Sequence, residues 1–511
     1  MKELEPITPQ FVKERVDNAN VYDVAVVTAL ESAPKLSNRL ENSVFLKRED
    51  TQAVFSFKLR GAYNKLATLS SEECKNGVIA ASAGNHAQGV ALSAKKLGIH
   101  ATLVMPKTTP DIKVQQVKSF GAKVILHGNT YDEAYIHAQE IATLLEIIFI
   151  HPYDDIDVIA GQGTIAKEIL DSAPDNLFAI FVPVGGGGLI SGISAYVKTL
   201  HPQIKIIAVE AEDSACLHDA LRDKQRTILD QVGIFADGVA VRQVGKLPFE
   251  IAQQCVDDVI LVSTDEICAA IKDIFDDTRS IMEPAGALAV AGLKKYLLTN
   301  DVKQQSMVCI NSGANMNFDR LRHVAERSEL GEKREALFGV TIPERAGSFL
   351  KFCEIIKERG ITEFNYRFAD PSQAHIFVGI QLQGDMNEAK LLEETIKKEN
   401  YPIIDLSDNE MAKIHIRYMV GGHSNSVENE RLFRFEFPER PGALLRFLRQ
   451  MSVNWNISLF HYRNHGAAYG RILLGVQVPK SDSIGFDQFL KEVAFPYWEE
   501  SNNPAYKLFL S

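Results

Sequence analysis

One lysine in this chain stands among residues that would strip it of water. It lies in Ser56-Phe57-Lys58-Leu59-Arg60-Gly61-Ala62, with Phe55 just before, ahead of a predicted helix from Ala62 to Leu69. A lysine at a helix start is ordinarily solvated. An amine partly held in apolar surroundings loses its charge more easily and becomes a nucleophile, able to form a Schiff base with an aldehyde. A second segment, Gly185-Gly186-Gly187-Gly188-Leu189, follows the predicted strand 178–184 and precedes a predicted helix from Ile190 to Leu200. Glycines let the backbone approach a ligand closely, and the helix start adds a positive dipole end, so the loop suits a phosphate. A third, Asn311-Ser312-Gly313-Ala314-Asn315, places a hydroxyl where a strand ends, the edge at which ligands bind in open α/β sheets. A fourth, Ser82-Ala83-Gly84-Asn85-His86, opens another helix. Its amides could hold a carboxylate and Asn85 could hydrogen-bond a phenolic oxygen.

The glycine loop is not a Walker loop, since no Gly-Lys-Ser/Thr ends it. It is close to a dinucleotide fingerprint, with Glu210 downstream at the position of the ribose-binding acid. Read from Gly186, however, Ser191 stands where the third glycine belongs. A nicotinamide-dependent oxidoreductase is therefore a rival reading.

These segments need elements to position them. Up to about residue 325 short apolar runs alternate with helical patterns. Strands are expected at 44–47, 78–82, 101–106, 123–128, 147–152, 178–184, 205–211, 259–263 and 307–312. Their nearly unbroken hydrophobicity suits strands covered on both faces. Helices are expected from His86 to Leu97, ending at Gly98, and from Asp111 to Phe120, ending at Gly121, where left-handed caps belong. The fold class is α/β, with an open, mostly parallel sheet arrangement and flanking helices.

Length and charge narrow the rest. A chain of 511 residues is too long for one core. Fifty-five basic against 66 acidic residues give −11, which argues against nucleic acid and anionic membranes as partners. No apolar run reaches the roughly 20 residues of a membrane span, and the charged N-terminus does not read as a secretory signal. The cysteines Cys74, Cys216, Cys255, Cys268, Cys309 and Cys353 form no CxxC pair and no zinc spacing. They read as reduced thiols of a cytoplasmic protein, and no metal site is expected.

The last third contains a duplication. FGVTIPERAGSFLKF from Phe338 and FRFEFPERPGALLRF from Phe433 share Phe, Pro, Glu, Arg, Gly, Leu and Phe at a constant offset, which grows by one residue before Tyr366-Arg367 and Tyr462-Arg463. Each copy reads as strand, PER-x-G turn, helix, strand, strand, and two such units can pair side by side. The charged run 326–335 before them reads as a solvated linker helix. The expected domains are 1–325, the linker 326–335, and two regulatory units at 336–409 and 431–504.

SFKLRGA, SAGNHAQG, GGGGL and NSGAN, in this order, resemble the fold-type-II pyridoxal-phosphate enzymes. Together with the paired ACT-like repeats, nearly the whole chain is similar to the biosynthetic threonine deaminases among them. The resemblance implies pyridoxal 5′-phosphate as cofactor, in Schiff-base linkage to Lys58. Asn85 would meet the 3′-oxygen, Gly185, Gly186, Gly187, Gly188 and Leu189 would hold the phosphate, and Ser312 would face the ring nitrogen. Ser82, Gly84, Asn85 and His86 would bind the substrate carboxylate. Glu283, in MEPAGA, lies in a family motif without an assigned role. It further implies elimination of water and ammonia from L-threonine in isoleucine synthesis, with Lys58 as general base. Isoleucine would inhibit, valine would oppose it, and the assembly would be a homotetramer. The best candidates for effector contacts are 361–368 and 457–464. Serine dehydratases, serine racemases and sulfhydrylases share the catalytic motifs, but the paired repeats argue against them. An intact Lys58, glycine loop and Ser312 argue against a sensor without activity.

Overall fold

The computed structural model describes residues 7–510 except 110, 358, 384–386, 425, 426, 439–442, 452, 453, 464–468 and 494. Two compact units divide the chain, Met1–Ser328 and Glu329–Ser511. Strands of the first unit are β1 (Leu30–Ser32), β2 (Ser43–Arg48), β3 (Val78–Ala81), β4 (Ala101–Met105), β5 (Lys123–Leu126), β6 (Ile148–Phe149), β7 (Leu177–Pro183), β8 (Lys205–Ala211), β9 (Asp258–Val262) and β10 (Ser306–Asn311). They form two sheets. The larger has the order β1-β2-β10-β7-β8-β9 and the smaller β5-β4-β3-β6. All pairings are parallel except that of β1 with β2.

The apolar runs are continuous because both sheet faces are covered. In β7, Ile180 and Val182 enter one core with the helices Ile156–Ser172 and Gly188–Leu200. Ala179 and Phe181 enter another with Thr264–Thr278 and Pro284–Thr299. Strand β10 alternates likewise, Val308 and Ile310 against Met307 and Cys309. In the small sheet Val78 and Ala80 face Asn85–Leu97, while Ile79 and Ala81 face Tyr131–Leu145. Gly98 (φ 70°) and Gly121 (φ 88°) take the left-handed conformation expected of caps. Among the described residues no helix is long and apolar enough to cross a membrane.

Three expectations need correction. The lysine helix starts at Lys58, four residues early, and ends at Thr68. The expected strand 147–152 shrinks to Ile148–Phe149, because His151 Nδ1 accepts the amides of Tyr153 (3.3 Å) and Asp154 (2.8 Å) and turns the chain. The run 326–335 is not a solvated linker. Arg327 pairs with Asp265 (3.3 Å) in the first unit, and Leu330 packs with Leu337, Phe377 and Ala412 in the second.

In the second unit the repeat is longer than the sequence pattern revealed. The first copy holds β11 (Glu335–Pro343), helix Ser348–Ile356, β12 (Ile361–Arg367), β13 (Gln373–Gln381), helix Glu388–Lys398 and β14 (Ile403–Asp405). The second holds β15 (Glu430–Pro438), helix Ala443–Gln450, β16 (Asn456–Arg463), β17 (Tyr469–Gln477), helix Ser483–Glu492 and β18 (Tyr497–Glu499). The closing helix and short strand were missed because those stretches share few identities between copies. Residues Glu439, Arg440 and Gly442 of the second turn lie outside the described residues. The strands make one sheet, β14-β11-β13-β12-β16-β17-β15-β18. It is joined at its centre by antiparallel β12 and β16, with Phe364 opposite Tyr462, Asn365 opposite His461 and Tyr366 opposite Phe460. Phe364 corresponds to Phe460 and Tyr366 to Tyr462, so a local two-fold passes through the Asn365–His461 pair.

A buried cluster ties the lysine helix to the large sheet. Arg60 donates to Glu49 (2.8 Å) and Glu168 (2.6 Å), and Lys47 donates to Glu168 (2.5 Å). All four side chains are at most 3% exposed, and the charges balance. Removing one partner leaves an uncompensated buried charge. Arg60→Leu should destabilise the first unit by about 3–5 kcal/mol, seen as an earlier urea transition. An unshifted transition would show that the cluster carries no such dependence.

Candidate active site

The backbone before Lys58 is fixed by pairing with the end of β10. Ser56 and Gly313 form an antiparallel bridge. The amide of Phe57 donates to the Ser312 carbonyl (3.2 Å), and that of Ala314 to the Phe55 carbonyl (2.9 Å). Phe55 adopts φ 54°, an unfavourable conformation for an aromatic residue that the pairing holds in place. Two segments more than 250 residues apart in sequence thus reach one place.

Lys58 is partly buried, with Nζ over the Phe57 ring (5.1 Å to its centre) and donating to the Pro152 carbonyl (3.2 Å). Burial lowers its pKa to about 8, with the carboxyl of Glu283 acting in the opposite direction. The next residue, Tyr153, lies against the glycine loop. A Cβ on Gly186 would stand 2.2 Å from its ring, and one on Gly188 3.0 Å from its backbone. Pro152-Tyr153 therefore brings the amine and the loop together. Gly187, at φ 92°, caps the helix Gly188–Leu200. Among the described residues, no amide from Gly185 to Leu189 donates to another backbone group. A row of free donors at a helix start is what an anionic group requires.

Ser312 is buried, and among the described residues its Oγ has only a long contact with the Ala285 carbonyl (3.4 Å). Asn85 opens its helix. Its Nδ2 donates to Glu283 Oε1 (2.6 Å) and its Oδ1 accepts from Asn315 Nδ2 (2.7 Å). Glu283 is 3% exposed, and its carboxyl is pushed up to about 7, by burial first and by Asp237 next. Asp237 is bridged to Lys113 (3.0 Å). Ser82 Oγ accepts the amide of Gly84 (3.2 Å), so it shapes the turn. The amides of Asn85 and His86 have no backbone acceptor among the described residues. His86 is held neutral, its pKa lowered to about 3 by burial and then by Lys58. Its Nε2 lies 3.0 Å from the Ile150 carbonyl, which assigns the hydrogen to that nitrogen.

All four sequence segments meet here. The sequence pattern does not single out Tyr153, Lys113 or Asp237, and it includes Asn315 only as the end of the NSGAN segment, without a role. The first falls just past the end of the expected strand 147–152, in a stretch with no pattern of its own. The others come from turns and helix faces without a recognisable pattern. The nicotinamide reading loses its acid. Glu210 is buried and accepts the amides of Leu217 and His218 (both 2.8 Å), so it is not available to a ribose.

Comparison with known proteins agrees with this geometry. Residues 21–313 match the family described as pyridoxal-phosphate dependent enzymes. Residues 326–416 and 421–510 each match the C-terminal regulatory domain of threonine dehydratase. The chain is 54% identical to a biosynthetic L-threonine dehydratase of Burkholderia multivorans, over 98% of this chain and 99% of that protein. It is 50% identical to the mitochondrial threonine dehydratase of Saccharomyces cerevisiae, over 98% and 89%. Among solved structures, the processed threonine deaminase isoform 2 of Solanum lycopersicum is 46% identical. It aligns with TM-score 0.61 over 63% of this chain and 93% of that one.

The lowered pKa of Lys58 predicts a pH profile. Attachment of an aldehyde such as pyridoxal phosphate, trapped with borohydride and mapped by mass, should rise with pH through about 8 at Lys58. Exposed lysines should follow only near their usual value of about 10.4. Glu283→Gln removes the charge that favours the protonated amine, so the profile should move to lower pH. A Lys58 profile matching that of exposed lysines would contradict the assignment.

Proposed function

The chain belongs to the pyridoxal-phosphate-dependent enzymes of the threonine dehydratase type, and from that premise we propose that it converts L-threonine to 2-oxobutanoate and ammonia. L-Serine would give pyruvate by the same chemistry. The observation that carries this reading is the Pro152-Tyr153 link, which sets a depressed-pKa amine beside a row of unpartnered amides. The residues fit the cofactor: an amine for its aldehyde, free donors for its phosphate, and a neutral hydroxyl for its ring nitrogen.

When bound, the cofactor supplies a carbonyl carbon for amines and a conjugated ring that withdraws electron density from the substrate Cα. The protein does the rest. Amides from Gly185 to Leu189 hold the phosphate. The amides of Asn85 and His86, at a helix start, hold the substrate carboxylate, and neutral His86 adds no cation there. Lys58 Nζ, with a pKa near 8, is partly neutral at physiological pH and takes the Cα proton. The departing β-hydroxyl needs a proton, which Lys58 Nζ, having taken one from Cα, could return. Ser312 leaves the ring nitrogen without a fixed negative partner. A ring so held would withdraw electron density less persistently, which would favour prompt loss of the β-group over transamination.

The second unit supports regulation by small amino acids. Segments 361–368 and 457–464, proposed as effector contacts, form the paired central strands β12 and β16; Asn464 lies outside the described residues. Isoleucine would inhibit and valine oppose it, in a cytoplasmic homotetramer. A coupling of about 1–3 kcal/mol would shift affinity by about 5–150-fold.

Three outcomes follow. Lys58→Ala should lower 2-oxobutanoate release by about 10²–10⁴-fold, and retention of turnover would exclude the proposed base. Ser312→Asp should suppress elimination while transamination products appear, and unchanged products would refute the hydroxyl argument. A chain ending at Ser328 should keep some turnover yet ignore isoleucine. Persisting inhibition would remove the regulatory role from the second unit.

A further inference from the structure

The orientation of a primary amide in a site is settled by its neighbours, because its oxygen and nitrogen are nearly the same size and differ only in accepting or donating. Around Asn85 those neighbours form an ordered series. Asn315 Nδ2 lies 2.8 Å from the Val54 carbonyl, which can only accept, so that atom is a nitrogen with a hydrogen spent on Val54. Its other hydrogen points to Asn85 Oδ1 at 2.7 Å. The opposite terminal atom of Asn85 is then its nitrogen, and it donates to Glu283 Oε1 at 2.6 Å. The backbone amide of Asn315 also donates to Glu283, closing a ring of Asn315, Asn85 and Glu283. One hydrogen on Asn85 Nδ2 is left, and no acceptor takes it among the described residues. Reversing the Asn85 amide would set donor against donor at Asn315 and acceptor against carboxyl oxygen at Glu283.

We propose that Asn315 is a positioning residue for the reaction: anchored on the Val54 carbonyl, it fixes the Asn85 amide so that the free N–H is offered to the phenolic oxygen of the cofactor. This rests on the reading that Asn85 meets that oxygen. A donor there favours the ionised phenolate, so the visible band of the bound cofactor and the pH at which it changes report on the amide's orientation. Glu283 completes the arrangement as the acceptor that a reversed amide would lose.

The test uses the full chain with pyridoxal phosphate, comparing Asn315→Ala, Asn85→Ala and the double variant. Dissociation constants come from titrating the cofactor-free protein, and visible spectra from the loaded one. Asn315→Ala should weaken cofactor binding by roughly three- to tenfold, the worth of one hydrogen bond. It should also move the pH transition of the visible band upward. The double variant should bind no more weakly than Asn85→Ala alone, because Asn315 acts through Asn85. Asn315→Asp, of the same shape but without the donor, carries the same expectation should the alanine variant not fold. Binding within twofold of the unaltered protein, an unmoved band, or a double variant showing both losses in full would each overturn the proposal. An unaltered protein without a visible band, or a Lys58→Ala variant with the same band, would overturn the cofactor reading and this proposal with it.

Discussion

The amine of Lys58 can sit beside apolar surface only because the backbone on either side of it cannot move. On one side residues 55–57 are paired with 312–314. On the other, Arg60 enters a neutral cluster with Glu49, Glu168 and Lys47. A lysine on a free loop would turn its amine to water and recover its usual pKa. The cluster is not an obvious source of stability, since desolvation offsets much of the attraction between buried charges. Its plain consequence is register: bidentate contacts to two carboxylates fix the helix Lys58–Thr68 in azimuth and in height. That helix crosses Ile156–Ser172 at Gly61 and Gly161, where a Cβ on Gly161 would stand 2.7 Å from the Arg60 carbonyl. Helix Ile156–Ser172 in turn meets Gly188–Leu200 at Gly163 and Gly192, where a Cβ on Gly192 would stand 2.4 Å from the Ile159 carbonyl oxygen and 2.7 Å from the Gly163 nitrogen. Two close crossings therefore carry the position of the lysine helix to the helix that the glycine loop begins.

Much of this was legible in the sequence, for physical reasons. Strands buried on both faces produce apolar runs that no surface strand could keep, so β7, β8 and β10 stand out. Glycine loops, helix starts and a lysine among aromatics are local signals read over a few residues. What could not be read depends on distant pairs. The edge strand β1 is three residues long and antiparallel to β2, and no periodicity can emerge from so short a run. Tyr153 matters because the backbone of Gly186 and Gly188 lies on it, a contact visible only after folding. Glu283 was noticed as part of MEPAGA. Its contacts with Asn85 and Gly313 join three segments that nothing in composition brings together.

The second unit teaches the same lesson about symmetry. A duplication with a constant offset implies two copies of one fold, and the pairing of β12 with β16 places a local two-fold at their centre. Polar contacts around the join are only partly symmetric. Arg367 of the first copy is paired with Glu430 of the second, which also accepts from Ser458 and Tyr506. On the other side Glu335 accepts from Thr362, as its counterpart does from Ser458, but the nearby arginine is Arg417, which pairs with Glu363. Residue types kept at the strands and changed at the arginine give the two copies a similar frame and a different charge environment.

The electrostatic character of the first unit's site follows from its unpartnered backbone amides at helix starts. An arginine beside the phosphate or the carboxylate would bind either more strongly than an amide does. It would also place a permanent cation near Lys58, whose pKa burial has already brought down to about 8. A further fall would make the amine a weaker base toward a carbon acid. Backbone amides and helix starts attract anions without a net charge, so they leave that balance in place. Glu283 acts in the other direction, supporting the protonated amine, and burial limits the effect by keeping its own carboxyl near 7. His86 and His151, held neutral by burial, add nothing. A site built from dipoles around a single tunable amine leaves Lys58, its pKa lowered to about 8, partly neutral near neutral pH, so that one group can both take a proton and return it.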